Sequence, residues 1–408
     1  MKTILFALAI TASILPTVST PANAQDRAKA LSLYEFVGNS GYDPGGGVIT
    51  DQHGTIFGTT TIGGSGPCSG GAGCGTVYAL SPPSKKSAQW TYQVLHDFQS
   101  GADGEVPFAP LVTDDSGNLY GYAYGTPGTV FELSPSKAPS HEWTYQVIYT
   151  FTGQADGDLL DVDSPLIFLN GDLYGVASGG SKKCGQFGCG SVFRLVPGAD
   201  GGAWTEETLF NFTGGDKSGQ PTWITGFDSS GAVYVSTSLG NGAIARISPP
   251  ASGTAWTEDV ITRFKNSGNM SYPTNLILAA DGSVFGIAAS AHGGLAFQLT
   301  PPTGGGSKWT RKTIANIEEH RYGPVSLAPQ AGGSLIGVIE GDFDFFAGSV
   351  FQLTPPEGGD GAWTYTELWN FNQGPDRNPL NVVTGRGGHL YGVLNGGDSS
   401  NGSLFELH

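Results

Sequence analysis

The chain has 408 residues, with 65 Gly, 25 Pro, only 13% charged residues and a formal net charge of −16. Such acidity repels phosphate backbones and anionic membrane surfaces, and no basic stripe with interleaved aromatics offsets it, so nucleic-acid binding is excluded. Gly and Pro recur between β-branched and aromatic runs as turn punctuation, and no segment past position 36 shows a helical period.

The first 24 residues read as a targeting segment. Lys2 gives a positive start, Ile4 to Pro16 an apolar stretch, and Ala22-Asn23-Ala24 a small-x-small cleavage motif before Gln25. The stretch is too short to span a bilayer comfortably, so cleavage after Ala24 is expected in preference to a retained anchor. The mature chain is then secreted, into the periplasm or the extracellular medium, without a membrane span. Residues 25–408 read as one domain, expected to be monomeric.

Three markers then recur in fixed order. The first is an apolar step usually followed by Gly, from Ile56-Phe57-Gly58 and Leu119-Tyr120-Gly121 to Leu390-Tyr391-Gly392. The second is a Gly leading into an alternating strand, as in Gly75-Thr76-Val77-Tyr78-Ala79-Leu80. Each occurs seven times. The third is Trp-Thr at Trp90, Trp143, Trp204, Trp256, Trp309 and Trp363, with an aliphatic residue five positions on and usually Phe eight on. Even spacing predicts Trp and Phe on one face of a strand and the aliphatic residue on the other. A fourth strand follows each Phe, where Pro often leads into an apolar run such as Pro107 to Thr113 or Pro379 to Thr384.

Only six copies of the third marker follow the other two. The missing copy lies at the N-terminus: Leu33 takes the aliphatic place, Phe36 the Phe place, and Ala28 replaces Trp. An open solenoid would leave two raw sheet edges, whereas a ring is closed by this arrangement. Four strands per 50–60 residues fit a propeller blade. The predicted fold is an all-β, seven-bladed β-propeller with four-stranded blades at about 37–98, 99–151, 152–212, 213–264, 265–317, 318–371, and 372–408 joined by 28–36. The N-terminal strand completes the last blade.

The Leu-Tyr-Gly step, the strand Gly128-Thr129-Val130-Phe131-Glu132-Leu133 and the Asp-Gly-x-x-Pro lead-in at Asp103 to Pro107 resemble the GloVer tandem-repeat extracellular proteins, of the choice-of-anchor type. The resemblance covers essentially the whole mature chain. It implies export and a repeat architecture, and supplies no catalytic residues. The resemblance implies varied anchors near the C-terminus, and this sequence departs from that pattern by ending inside a blade strand.

The four cysteines form two local pairs, Cys68 with Cys74 and Cys184 with Cys189. In an exported chain these read as disulfides; neither pair is Cys-x-x-Cys and no His accompanies them. Closing such short loops contributes about 2 kcal/mol each, so they pin loops and do not hold the fold.

The lead-ins to the first strands and the loops joining second and third strands share one rim, and they carry most of the length variation. That rim is acidic. Its densest cluster is Asp156, Asp158, Asp161 and Asp163, a set of hard oxygen ligands suited to Ca²⁺ but without EF-hand spacing; a solvated turn is the alternative. Blade six departs from its siblings at His320 and Arg321 and at Asp342, Phe343, Asp344 and Phe345, where rings flanked by acids suit a sugar or an apolar partner unless they tuck under the rim. His320 is an acid/base candidate by type alone. The innermost strands carry no charged residue between the leading Pro and the next turn, and no nucleophile elbow or His-Glu-x-x-His motif occurs. The expected function is a secreted, non-enzymatic binding scaffold for an extracellular protein or glycan. A carbohydrate-active hydrolase or lyase, and a structural envelope component, are the alternatives.

Overall fold

The computed structural model describes residues 30–408 apart from 69, 86, 126, 137–141, 154–155, 159–163, 181, 186–187, 216, 265–269, 291–292, 304–307, 318–322, 342–345, 360, 373–376 and 397–400. The targeting segment therefore lies outside the described residues. Seven four-stranded antiparallel sheets form a β-propeller. In blade one the strands run outward in chain order, Tyr42–Thr50, Ile56–Ile62, Thr76–Ser81 and Thr91–Asp97. Blades two to six repeat that order. Blade seven takes Pro379–Thr384, Leu390–Leu394 and Ser403–Leu407 from the C-terminal end and its outermost strand, Ala30–Glu35, from the other. Ala30 pairs with Leu407 and Glu35 with Ser403, so the predicted closure is present.

One expectation about faces needs correction. In all seven blades the ladder between third and fourth strands contains a β-bulge, and the residue it skips is the aliphatic marker. Leu95 is passed over between His96 and Val94, Ile148 between Tyr149 and Val147, and Leu33 between Tyr34 and Ser32. An extra residue reverses the alternation beyond it. Trp and Phe, eight apart, therefore face opposite ways, and the aliphatic residue sides with Phe. Trp90, Trp143, Trp309 and Trp363 reach back to the preceding blade, edge-on to Tyr391, Phe57, Tyr234 and Phe285. Phe98, Phe151, Phe264 and Phe371 reach forward, onto Phe131, Phe193, Phe297 and Phe405 of the next blade. Each bulge thus lets one strand grip both neighbours. Phe36 closes the circle by packing on Tyr78 of blade one at 5.2 Å.

The remaining markers are packing rules. A Cβ on the Gly of the Leu-Tyr-Gly step would meet the ring of its cross-strand partner, 2.6 Å from Phe131 Cζ at Gly121 and 2.3 Å from Tyr78 Oη at Gly58. Blade four lacks that Gly, and the compensation is visible: Val235 pairs with Ala245 where the siblings pair Gly with an aromatic ring. Volume is conserved, as a close-packed interior demands. At Gly75, Gly190, Gly242, Gly348 and Gly402 the Gly before the third strand abuts the leading Pro of the following blade. A Cβ would lie 2.7 Å from Pro107 Cδ at Gly75, 2.3 Å from Pro221 Cδ at Gly190 and 2.7 Å from Pro44 Cδ at Gly402.

Both expected disulfides are present, Cys68–Cys74 and Cys184–Cys189, in the second-to-third-strand loops of blades one and three. Two disulfides and no free cysteine among the described residues point to an oxidising compartment. No helix among the described residues is long and apolar enough to cross a membrane.

Candidate functional site at the channel mouth

Two described acids of the loop-bearing rim, Asp156 and Asp103, have local structural work. Asp156 is buried and accepts hydrogen bonds from the Thr152 backbone N–H at 2.8 Å and the Tyr149 hydroxyl at 3.0 Å. Asp103 holds the same place one blade earlier, accepting from the Gln99 N–H at 2.7 Å and lying 3.1 Å from His96 Nε2. Both carboxylates staple the turn that follows the Phe recurring at the end of the outermost strands. The Asp158 backbone exchanges two hydrogen bonds with Ser178, which pins this lead-in to the second strand's end. The other sequence-based candidates, Asp161, Asp163, His320, Arg321, Asp342, Phe343, Asp344 and Phe345, lie outside the described residues.

The innermost strands surround a cavity of about 570 Å³, walled mainly by apolar side chains including Val48, Leu111, Trp223, Val325 and Leu380. Two long polar side chains in those strands, Asn381 and Asn275, serve the ring itself. Asn381 of blade seven accepts from the Val48 N–H and donates to the Val48 carbonyl, both at 3.0 Å, passing over Gly47, where a Cβ would clash with it at 2.4 Å. Asn275 of blade five accepts from the Leu327 N–H of blade six at 2.9 Å. Each satisfies backbone groups on the innermost strand of the next blade.

Two carboxylates remain, Asp43 and Glu340, the only charged side chains among the described lining residues. Asp43, the second residue of the first strand of blade one, has a left-handed φ of 53°, held by its N–H to the Asn401 carbonyl and by Thr61 Oγ1 donating to its carboxylate at 2.6 Å. Glu340 ends the second strand of blade six. Burial raises its carboxyl above the ordinary value. Both sit at the strand ends that meet the loop-bearing rim, beside Thr61, Asn395 and the 41%-exposed ring of Phe108. The site is an apolar shaft with an acidic, hydrogen-bonding collar at one end.

Sequence reasoning missed this pair, although a signal existed. Five residues after the start of each Leu-Tyr-Gly step stand Thr61, Tyr124, Ser178, Ser238, Ala289, Glu340 and Asn395, and only blade six places a charge there. Before the leading Pro, only blade one has an acid, Asp43.

No family model matches the chain, and no curated protein does. Among solved structures it is similar to a putative 6-phosphogluconolactonase from Bacteroides uniformis, with a TM-score of 0.51 and 14% identity over 78% of this chain and 83% of that one. It is also similar to the extracellular domain of a putative hybrid two-component system from B. thetaiotaomicron, with a TM-score of 0.52 and 13% identity. That match covers 93% of this chain and 39% of the other. At these identities the likeness is one of fold alone.

Proposed function

We propose that this chain is an exported, monomeric binding scaffold that takes its ligand at the channel mouth. The observation that carries the reading is the pairing of an apolar cavity of about 570 Å³ with two carboxylates confined to one end. A pocket of that size and lining buries an apolar or aromatic body, while a few polar groups fix orientation. The collar of Asp43, Glu340, Thr61 and Asn395 suits a ligand head bearing a cation or several N–H or O–H donors. Export rests on the N-terminal segment and the two disulfides, in keeping with the resemblance to GloVer repeat proteins.

Thermal-shift and calorimetric screening of aminated or aromatic glycosides and cationic amphiphiles tests the reading, run with and without Ca²⁺ to include the Asp156 and Asp158 loop. Glu340→Gln and Asp43→Asn are expected to weaken a ligand found in this way at least tenfold, with the melting curve retained. Unchanged affinity in both variants defeats the assignment. The raised Glu340 carboxyl also suits a general acid, which favours a second reading as a carbohydrate-active hydrolase or lyase. Turnover of a polysaccharide that Glu340→Gln abolishes selects that alternative.

A further inference from the structure

The opposite rim carries a second constellation, unrelated to the channel. His389 precedes the second strand of blade seven, and Glu406 and His408 lie at the end of its third. The ladder pairs Leu390 with Leu407 and Tyr391 with Glu406, which places His408 across from His389 one step beyond the last pair. By alternation His389, Glu406 and His408 share one face of the blade. His389 Nδ1 is 2.5 Å from Glu406 Oε1, the two imidazole centroids are 5.8 Å apart, and one ligating atom from each of the three side chains lies within 4.8 Å of the others.

Sibling blades show what an ordinary ion pair looks like here. In blade three the matching positions hold Asp172 and Arg194, joined at 2.9 Å and 2.5 Å through Nε and Nη2, with Val196 where His408 stands. A guanidinium is always protonated and does not bind metals under ordinary conditions. Blade seven replaces both partners with ligating types and adds a third. Glu406 is largely buried, 13% exposed, and Tyr391 Oη donates to its Oε1 at 3.3 Å, which orients the carboxylate. His389 is 43% exposed and His408 is exposed, so the site opens to solvent.

We propose that His389, Glu406 and His408 bind a divalent transition metal, with Zn²⁺ the best match, leaving a fourth position for water. Two imidazoles and one carboxylate form a known zinc donor set, with metal–ligand distances near 2.0–2.2 Å that set tetrahedral ligand atoms about 3.3 Å apart. The cluster reaches that spacing through side-chain rotation, with the His389–Glu406 contact opening as the metal replaces the proton between them. The ion would tie the turn before the second strand to the end of the third, the strand on which the N-terminal segment closes the ring.

Co²⁺ titration of the untagged chain, purified with chelator and then dialysed free of it, tests this. One equivalent of Co²⁺ is expected to give the intense visible bands of a four-coordinate site, displaced by one equivalent of Zn²⁺. His408→Ala, at an exposed position, should keep the melting curve and lower Co²⁺ affinity at least tenfold; His389→Ala should do the same. Glu406→Gln should lower affinity as well, by removing the carboxylate charge. Absence of those bands in the wild type, or equal Co²⁺ affinity in wild type and the His389→Ala/His408→Ala double variant, overturns the assignment.

Discussion

Blade one has two neighbours, and its two seams invite comparison. Toward blade two the chain is continuous; toward blade seven the seam joins segments from opposite ends of the chain. The contacts nevertheless correspond one for one. Phe36 packs on Tyr78 at 5.2 Å as Phe98 packs on Phe131 at 5.5 Å. Trp90 meets Tyr391 at 5.9 Å as Trp143 meets Phe57 at 5.8 Å. Tyr34 stacks on Tyr92 and His96 on Tyr145, each with rings 2° from parallel. Even the hydroxyls agree, Tyr92 donating to the Ser40 carbonyl and Tyr145 to the Asp103 carbonyl. The closing seam is therefore an ordinary seam made between distant residues. Its distinguishing additions are the Asn381 clamp on Val48 and a tyrosine where the other seam has a histidine.

The largest test of this equivalence is truncation of the forward Phe. Phe36→Ala and Phe98→Ala should each destabilise by about 3–5 kcal/mol, the range for emptying a buried phenyl site. Both rings are fully buried. Denaturant melts that show a much smaller loss for Phe36→Ala, or an early separate transition, would mean that the closing seam is the weaker one.

Next comes the clamp. Asn381→Ala leaves the Val48 N–H and carbonyl without their partner and should cost about 1–3 kcal/mol. Asn275→Ala, which frees only the Leu327 N–H, should cost less. Equal losses by chemical denaturation would show that Asn381 adds nothing particular to closure.

The smallest effect is that of pH. Burial lowers the His96 pKa, and the neighbouring Asp103 carboxylate offsets this only in part. The native state then binds fewer protons than the unfolded chain below an unfolded pKa of about 6.5. Stability is complete above that value and declines as pH falls through it toward the folded pKa. His96→Tyr, which copies the Tyr34 stack of the other seam, should remove this decline between pH 7 and 5. A wild-type melting temperature that rises on acidification across that range contradicts the sign.

Much of the ring was legible in the sequence because its markers are local and repeated. Seven Gly-led strands, six Trp-Thr steps and a seventh copy stranded at the N-terminus leave closure as the arrangement that gives the last blade its fourth strand. The disulfides followed from spacing and export. The channel acids were harder to see, since Asp43 and Glu340 are 297 positions apart and each looks like the end of an unremarked strand. Asn381 and Asn275 were visible as polar residues in apolar strands, but their backbone partners in the next blade were not.

Residue types and their period determined the strand count, the blade order and the closure, because alternation and turn chemistry act over a few neighbouring residues. Which way each marker faces was decided only in three dimensions, because one bulge residue per blade reverses alternation and lets Trp and Phe serve opposite neighbours. The collar around the channel was likewise set by folding, since a ring brings the ends of separate blades to a common axis and burial there changes what a carboxylate can do.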